Sequence, residues 1–147
     1  MRDVNEFIRA LPCWKGSVEI AMHPGGITNQ NFLVQDQNDK FFARVGEDIP
    51  VHDVIRCNEV LASRAAYAVG LAPEVVYSAP GVMVMNFIRG RTLASKDVQR
   101  EETLWKILSL IGRCHRHMPA HIRGSANLFW VFQVLRNYAA TLRDDDN

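Results

Sequence analysis

Long apolar runs are missing from this chain: nowhere in its 147 residues does a hydrophobic stretch approach the ~20 residues that span a bilayer. The opening Met1-Arg2-Asp3-Val4-Asn5-Glu6 carries acids where a secretory signal needs an apolar core, so no targeting segment is expected. Cysteine is scarce. Cys13, Cys57 and Cys114 are odd in number, far apart and form no C-x-x-C, which argues against a disulfide framework and a zinc knuckle. Reduced thiols in a soluble, cytoplasmic protein follow as the expectation. Neither sign of charge dominates. With 17 basic and 16 acidic residues the formal net charge is +1, which gives no support for a nucleic-acid surface or a polybasic membrane patch. A small anionic ligand needs only a few local donors and stays possible.

Metal and hydrolase chemistry are equally thin. His115 and His117 are two apart on a helical stretch and so point apart, and no carboxylate or thiol joins them and His121 in a ligand set. His115 falls on the apolar face of its helix and is expected in the core. Trp14, Trp105 and Trp130 are too scattered for a stacking platform and are expected to pack. Asp144-Asp145-Asp146-Asn147 reads as a solvated, frayed terminus. Material for a core is nevertheless ample, with 48% hydrophobic and 22% charged residues in a chain sized for one domain, or one lobe and part of another.

Periodicity orders the chain. Val4, Phe7, Ile8 and Leu11 make a short amphipathic helix that Pro12 ends. Val18, Ile20 and Met22 alternate with Glu19, Ala21 and His23 as a strand. Asn31 to Gln35 is a second, and Lys40 to Val45 a third beyond the polar turn at 36–39. A helix is predicted from about Val51 to Val69, with Val51, Val54, Ile55, Leu61, Ala65 and Ala68 on its buried face. Strands at 74–78 and 82–86 follow, joined by Ala79-Pro80-Gly81. Phe87 to Leu93 is a connector. Two helices complete the chain, one lined by Leu104, Ile107, Leu108, Ile111 and His115, the other by Val131, Val134, Leu135, Tyr138 and Leu142. The expected order is a five-stranded antiparallel meander interrupted by one helix, then helices, with a boundary near residues 88–95.

The most informative segment is Gly25-Gly26-Ile27-Thr28-Asn29-Gln30-Asn31-Phe32, a strand–loop–strand tip. Two glycines let backbone amides approach a bulky anion, and Thr28, Asn29 and Asn31 add donors that could reach phosphate oxygens. Alone, the octet equally fits a hairpin with glycine turn chemistry. Downstream stand a cation on the third strand, Arg44, and an acid on the following helix, Glu59. A glycine loop, a strand cation and a helix acid are the phosphate-gripping parts of a kinase-type nucleotide lobe.

The wording of these segments, with Phe42-Ala43-Arg44-Val45-Gly46 and Arg56-Cys57-Asn58-Glu59, resembles bacterial choline kinases, which belong with the aminoglycoside phosphotransferases. The resemblance continues through 70–76, 87–93, 111–115 and 134–140, and so covers nearly the whole chain from about residue 17. It implies an α+β fold: a protein-kinase-like N-lobe over residues 1–93, including the hinge, and the start of a helical C-lobe over 94–147. It implies ATP as phosphoryl donor, with Gly25, Gly26, Thr28 and Asn29 in the phosphate loop, and Arg44 in the place of the kinase lysine. Glu59 would be its partner, and Met85, Asn86 and Phe87 the hinge at the adenine. The acceptor would be a small alcohol, choline first, with thiamine, an aminoglycoside or another amino alcohol as alternatives. The group's His-x-Asp-x-x-x-x-Asn segment and the later Mg²⁺-holding Asp do not occur in these residues. No catalytic or metal residue is therefore assigned, Mg²⁺ is expected only in a complete enzyme, and the chain is expected to be truncated and inactive by itself. The alternative is a non-catalytic nucleotide-binding or protein-interaction module, with self-association through an uncovered apolar face.

Overall fold

The computed structural model describes residues 3–124 and 130–145. The first helix, α1 (Val4–Arg9), is capped by Asp3, whose carboxylate accepts a hydrogen bond from the amide of Asn5 at 2.9 Å. Strands β1 (Val18–His23), β2 (Gln30–Asp36) and β3 (Asp39–Val45) form two successive antiparallel hairpins. Helix α2 (Arg56–Ala68) follows, then β4 (Val75–Ala79) and β5 (Val82–Asn86).

All five strands join one antiparallel sheet in the order β1-β2-β3-β5-β4. This corrects the expected meander: after α2 the chain runs first along the sheet edge and then turns back to insert β5 beside β3. Composition gives the reason. Val82 to Met85 are apolar at every position and all buried, as suits an interior strand covered on both faces, whereas β4 mixes in Tyr77 and Ser78 and takes the edge.

Directly opposed residues of antiparallel strands share a face. One face carries Val18, Phe32, Val34, Ala43, Val82 and Val84, and α1 with the turn after it closes over this face through Ile8 and Leu11 to make the hydrophobic core. Trp14 packs against Phe41 on this side, with ring centroids 5.5 Å apart. Asp36 is buried at the end of β2, where its carboxylate accepts a hydrogen bond from the Lys15 amide at 2.7 Å and ties the segment after α1 to the sheet. The opposite face carries three rows: His23, Asn31, Arg44 and Met83; then Ala21, Leu33, Phe42 and Met85; then Glu19, Gln35 and Lys40. Helix α2 lies over this second face.

Helix α2 starts later than the sequence predicts. Pro50–His52 form a 3₁₀ turn, Asp53 adopts a left-handed conformation (φ 53°), and Ile49 and Val54 bridge each other in both directions. Val51 and Ile55 are consequently exposed, as is Ala68, and Ala65 alone on the helix is fully buried. After the connector come α3 (Ser95–Val98), α4 (Glu101–His117), a 3₁₀ turn at Met118–His121, and α5 (Val131–Asp145). The 3₁₀ turn packs on α2, and α5 reaches the 50–52 turn through Tyr138, whose hydroxyl lies 3.3 Å from Nδ1 of His52. The apolar stripes of α4 and α5 largely face solvent: Leu104, Trp105, Leu108, Ile111, Trp130, Leu135 and Leu142 are exposed, and so is His115, against the core position expected for it. The helix α5 continues through Asp145, and Asp146 and Asn147 of the acidic run lie outside the described residues. No helix among the described residues is long and apolar enough to cross a membrane.

Candidate nucleotide site

The loop between β1 and β2 needs its glycines for backbone reasons. Gly25 and Gly26 have φ of 108° and 93°, which L side chains rarely adopt. A Cβ on Gly26 would also stand 2.8 Å from the Asn31 amide nitrogen and 3.0 Å from the Asn29 carbonyl oxygen. Asn31 is not free to reach a phosphate, as its sequence position suggests. Its side-chain amide donates to the Gly25 carbonyl at 2.7 Å and latches the loop from below.

At the end of β3 nearest this loop, Arg44 extends over the second face and meets Glu59 of α2, Nη1 to Oε1, at 2.6 Å. The strand cation and helix acid singled out in the sequence therefore form an ion pair, one third and one quarter exposed respectively. Buried Nε of Arg44 has no hydrogen-bond partner among the described residues, and neither has Oδ1 of Asn31, the residue opposite it in the β2–β3 register. An unsatisfied buried donor is costly, about 1–3 kcal/mol. A donor left in that state beside a glycine loop suits an anionic oxygen.

Sequence reasoning missed Arg56. It is the first residue of α2, and its guanidinium makes three different contacts: Nη1 to Glu59 Oε2 at 2.9 Å, Nη2 to the Thr28 carbonyl at 2.7 Å, and Nε to the Glu47 carbonyl at 2.9 Å. Two of its acceptors are main-chain oxygens brought together by the fold, which no residue pattern announces. Gly46 directly follows β3. A Cβ there would stand 2.9 Å from Arg56 Nη2 and 2.9 Å from Asn29 Oδ1, so the glycine leaves the space that Arg56 occupies.

Arg44, Glu59, Asn29 and Arg56 share the wall of a cavity of about 510 Å³ between α2 and the β4–β5 turn. Met85, Asn86 and Phe87 do not line it. They stand toward the other end of the sheet, where Asn86 and Phe87 border a second, more open hollow with Lys40 and Glu74. Met85 is opposite Phe42, and Arg44 opposite Met83, so the second face runs continuously from Met85 to Arg44 over roughly 7 Å at the usual strand rise. His23 stacks edge-on against Phe42 on this face, with ring centroids 5.4 Å apart. The connector beyond is fixed by a two-pronged pair, Arg91 to Asp97 at 2.6 and 2.9 Å. The hydrogen bonds from Arg91, with a further one from the Ala94 amide, hold the Asp97 carboxyl below its ordinary range.

A glycine loop on a five-stranded antiparallel sheet, a strand arginine paired to the next helix, and helices after a connector together describe one known architecture. Plasmodium vivax ethanolamine kinase superposes with a TM-score of 0.58 at 19% identity over 83% of this chain and 31% of its own. Choline kinase from Cryptosporidium parvum Iowa II superposes with a TM-score of 0.58 at 21% identity over 75% of this chain and 34% of its own. This is the choline/ethanolamine-kinase fold. The kinase-like chain spans about a third of the length of each of these proteins, and its five-stranded sheet corresponds to their N-lobe. No family model matches the chain, and no curated protein does. Among the described residues of this kinase-like lobe, no three His, Cys, Asp or Glu side chains converge to hold a metal ion, so no chemical step is derived through Mg²⁺.

Proposed function

We propose that these residues form the nucleotide-binding part of an ATP-dependent phosphotransferase whose acceptor is a small amino alcohol, choline first. The observation that carries this reading is the 2.6 Å Arg44–Glu59 pair beside a loop held open by two left-handed glycines. Loop amides at Gly25, Gly26, Thr28 and Asn29 would face the phosphates, and Arg44 would neutralise their charge while Glu59 keeps it aimed. The second face between Phe42 and Met85 would receive the base, next to the hinge at Asn86 and Phe87. Arginine suits this position because its planar fork grips a carboxylate and a phosphate oxygen together. Bound ATP would supply the transferable phosphoryl group; the residues described here bind and orient it.

No residue of this chain is assigned the transfer step, since residues 1–147 contain no His-x-Asp-x-x-x-x-Asn segment. Nucleotide binding without turnover is the activity expected of the 147-residue chain in isolation. The test titrates purified protein with a fluorescent ATP analogue and runs a radiolabelled transfer assay against choline, ethanolamine and other amino alcohols. Saturable binding that Arg44→Ala weakens about 10-fold or more is expected, the size of one lost charge-assisted contact. Absence of saturable binding, or binding indifferent to that substitution, would refute the site.

A further inference from the structure

We infer that Arg56 is the positioning residue that locks the glycine loop to the Arg44–Glu59 pair, so that loop and helix meet a nucleoside triphosphate as one unit. This rests on the nucleotide-site reading above and names a residue that the reading does not need.

The glycine loop cannot hold itself. A Cβ at Gly25 would meet nothing within 4 Å, and Ile27 is fully exposed, so side-chain packing gives the loop little support. Its fixed points are hydrogen bonds: the Asn31 amide on the Gly25 carbonyl before the tip, and Arg56 Nη2 on the Thr28 carbonyl after it. The second of these belongs to α2. Arg56 is itself immobilised, with its side chain only 15% exposed, its Nε on the Glu47 carbonyl, and its backbone amide on Asp48 Oδ1 at 2.7 Å. The Glu59 carboxylate is divided between two cations, Oε1 to Arg44 and Oε2 to Arg56. Arg44 can therefore turn part of its fork toward a phosphate while Glu59 stays held by Arg56. A lysine could not do this work, because one ammonium cannot reach three acceptors arranged around a planar fork.

The consequence is a split by ligand. Interactions with the phosphates depend on loop and pair being held together, whereas those with the base depend on the Phe42–Met85 face and not on Arg56. The full 147-residue chain is compared with Arg56→Ala, Arg56→Lys and Arg44→Ala for affinity toward ATP and toward adenosine. Amide hydrogen exchange over residues 25–31 is followed in parallel. Both Arg56 variants are expected to bind ATP about 10-fold more weakly, the order of one charge-assisted hydrogen bond, with adenosine affinity unchanged within 2-fold and faster exchange in the loop. Millimolar guanidinium, entering the cavity that Arg56 borders, is expected to restore ATP affinity to Arg56→Ala. Should Arg56→Ala fail to fold, Arg56→Lys carries the same comparison. Equal weakening for ATP and adenosine without guanidinium rescue would reduce Arg56 to a folding role and overturn the inference. ATP affinity unchanged in both Arg56 variants but lost in Arg44→Ala would overturn it while leaving the nucleotide site intact. Failure of the unsubstituted chain to bind ATP would remove both.

Discussion

Replacing Glu59 with alanine strips one carboxylate from between two arginines, and the structure sets the size of the effect. Exposed ion pairs contribute about 0–1 kcal/mol, and removing one partner of a fully buried pair costs about 3–5 kcal/mol. Glu59 is one quarter exposed, with contacts of 2.6 Å to Arg44 and 2.9 Å to Arg56. Its loss leaves two guanidiniums facing each other, and only Arg44, the more exposed, can swing far toward water. A value between those limits, about 2 kcal/mol, is expected. At an unfolding entropy of about 2.1 cal/mol/K per residue, this lowers Tm by about 6 °C. Urea unfolding of Glu59→Ala, Arg44→Ala, Arg56→Ala and the two doubles apportions the loss, and the midpoint should move with no change in m. Each cycle should give a coupling near 1 kcal/mol, because the carboxylate gives one oxygen to each arginine. Glu59→Gln, which keeps a single acceptor, should lie about midway. Couplings below about 0.3 kcal/mol in both cycles, with all variants folded, would mean that the pair is a surface contact and that α2 is held by something else.

Three further outcomes follow, one from the opposite face and two from the thiols. Ile8 of α1 is completely buried against the sheet, so Ile8→Ala should cost about 3 kcal/mol by urea unfolding, and a loss under 1 kcal/mol would show that α1 does not close the core. Burial raises the Cys13 thiol above its ordinary value of 9.0, whereas Cys57 is exposed, so a thiol reagent at neutral pH should label Cys57 first. Since the raised value favours the protonated thiol in the folded state, its contribution to stability is complete below the unfolded pKa and disappears as pH rises through the folded one. Alkaline unfolding should therefore be less steep in Cys13→Ala, and an identical pH profile in the two proteins would contradict this.

What could be read from the sequence was what depends on near neighbours. The strands at 18–23, 39–45 and 82–86 announce themselves by alternation or by continuous apolar residues between turn signals, and the structure places them within a residue or so of the expectation. The Arg44–Glu59 pair was legible because the order glycine loop, strand cation, helix acid resembles a kinase-type nucleotide lobe, in which those two side chains meet. The start of α2 was not, because Val51, Val54 and Ile55 continue the helical pattern of spacing, and the left-handed turn at Asp53 that breaks it carries no glycine. Strand order was hidden for a different reason: β4 and β5 pair locally either way, and only competition for the interior place beside β3 decides between them. His115 was misplaced because periodicity marks which residues share a helix face, not whether anything covers that face.

The two faces of the sheet divide the labour, and β3 shows how. Ala43 sits in the core under α1, fully buried, while Arg44, one residue on, stands on the face beneath α2. The first side is held by apolar packing, which is insensitive to charge and lost only by removing volume. The second buries Met83 and Met85 as well, and adds directional contacts to the helix above it. Helix α2 fully buries Ala65 alone, and Arg44–Glu59, Arg56 to two carbonyls, and Arg64 to Ser78 connect it to the rest. Such contacts are directional: a guanidinium that gives Nη1 to a carboxylate oxygen at 2.6 Å keeps other donors for a second oxygen, which no aliphatic contact offers. The same alternation that fixes the register of β3 therefore separates the apolar face under α1 from the face that carries the Arg44–Glu59 pair.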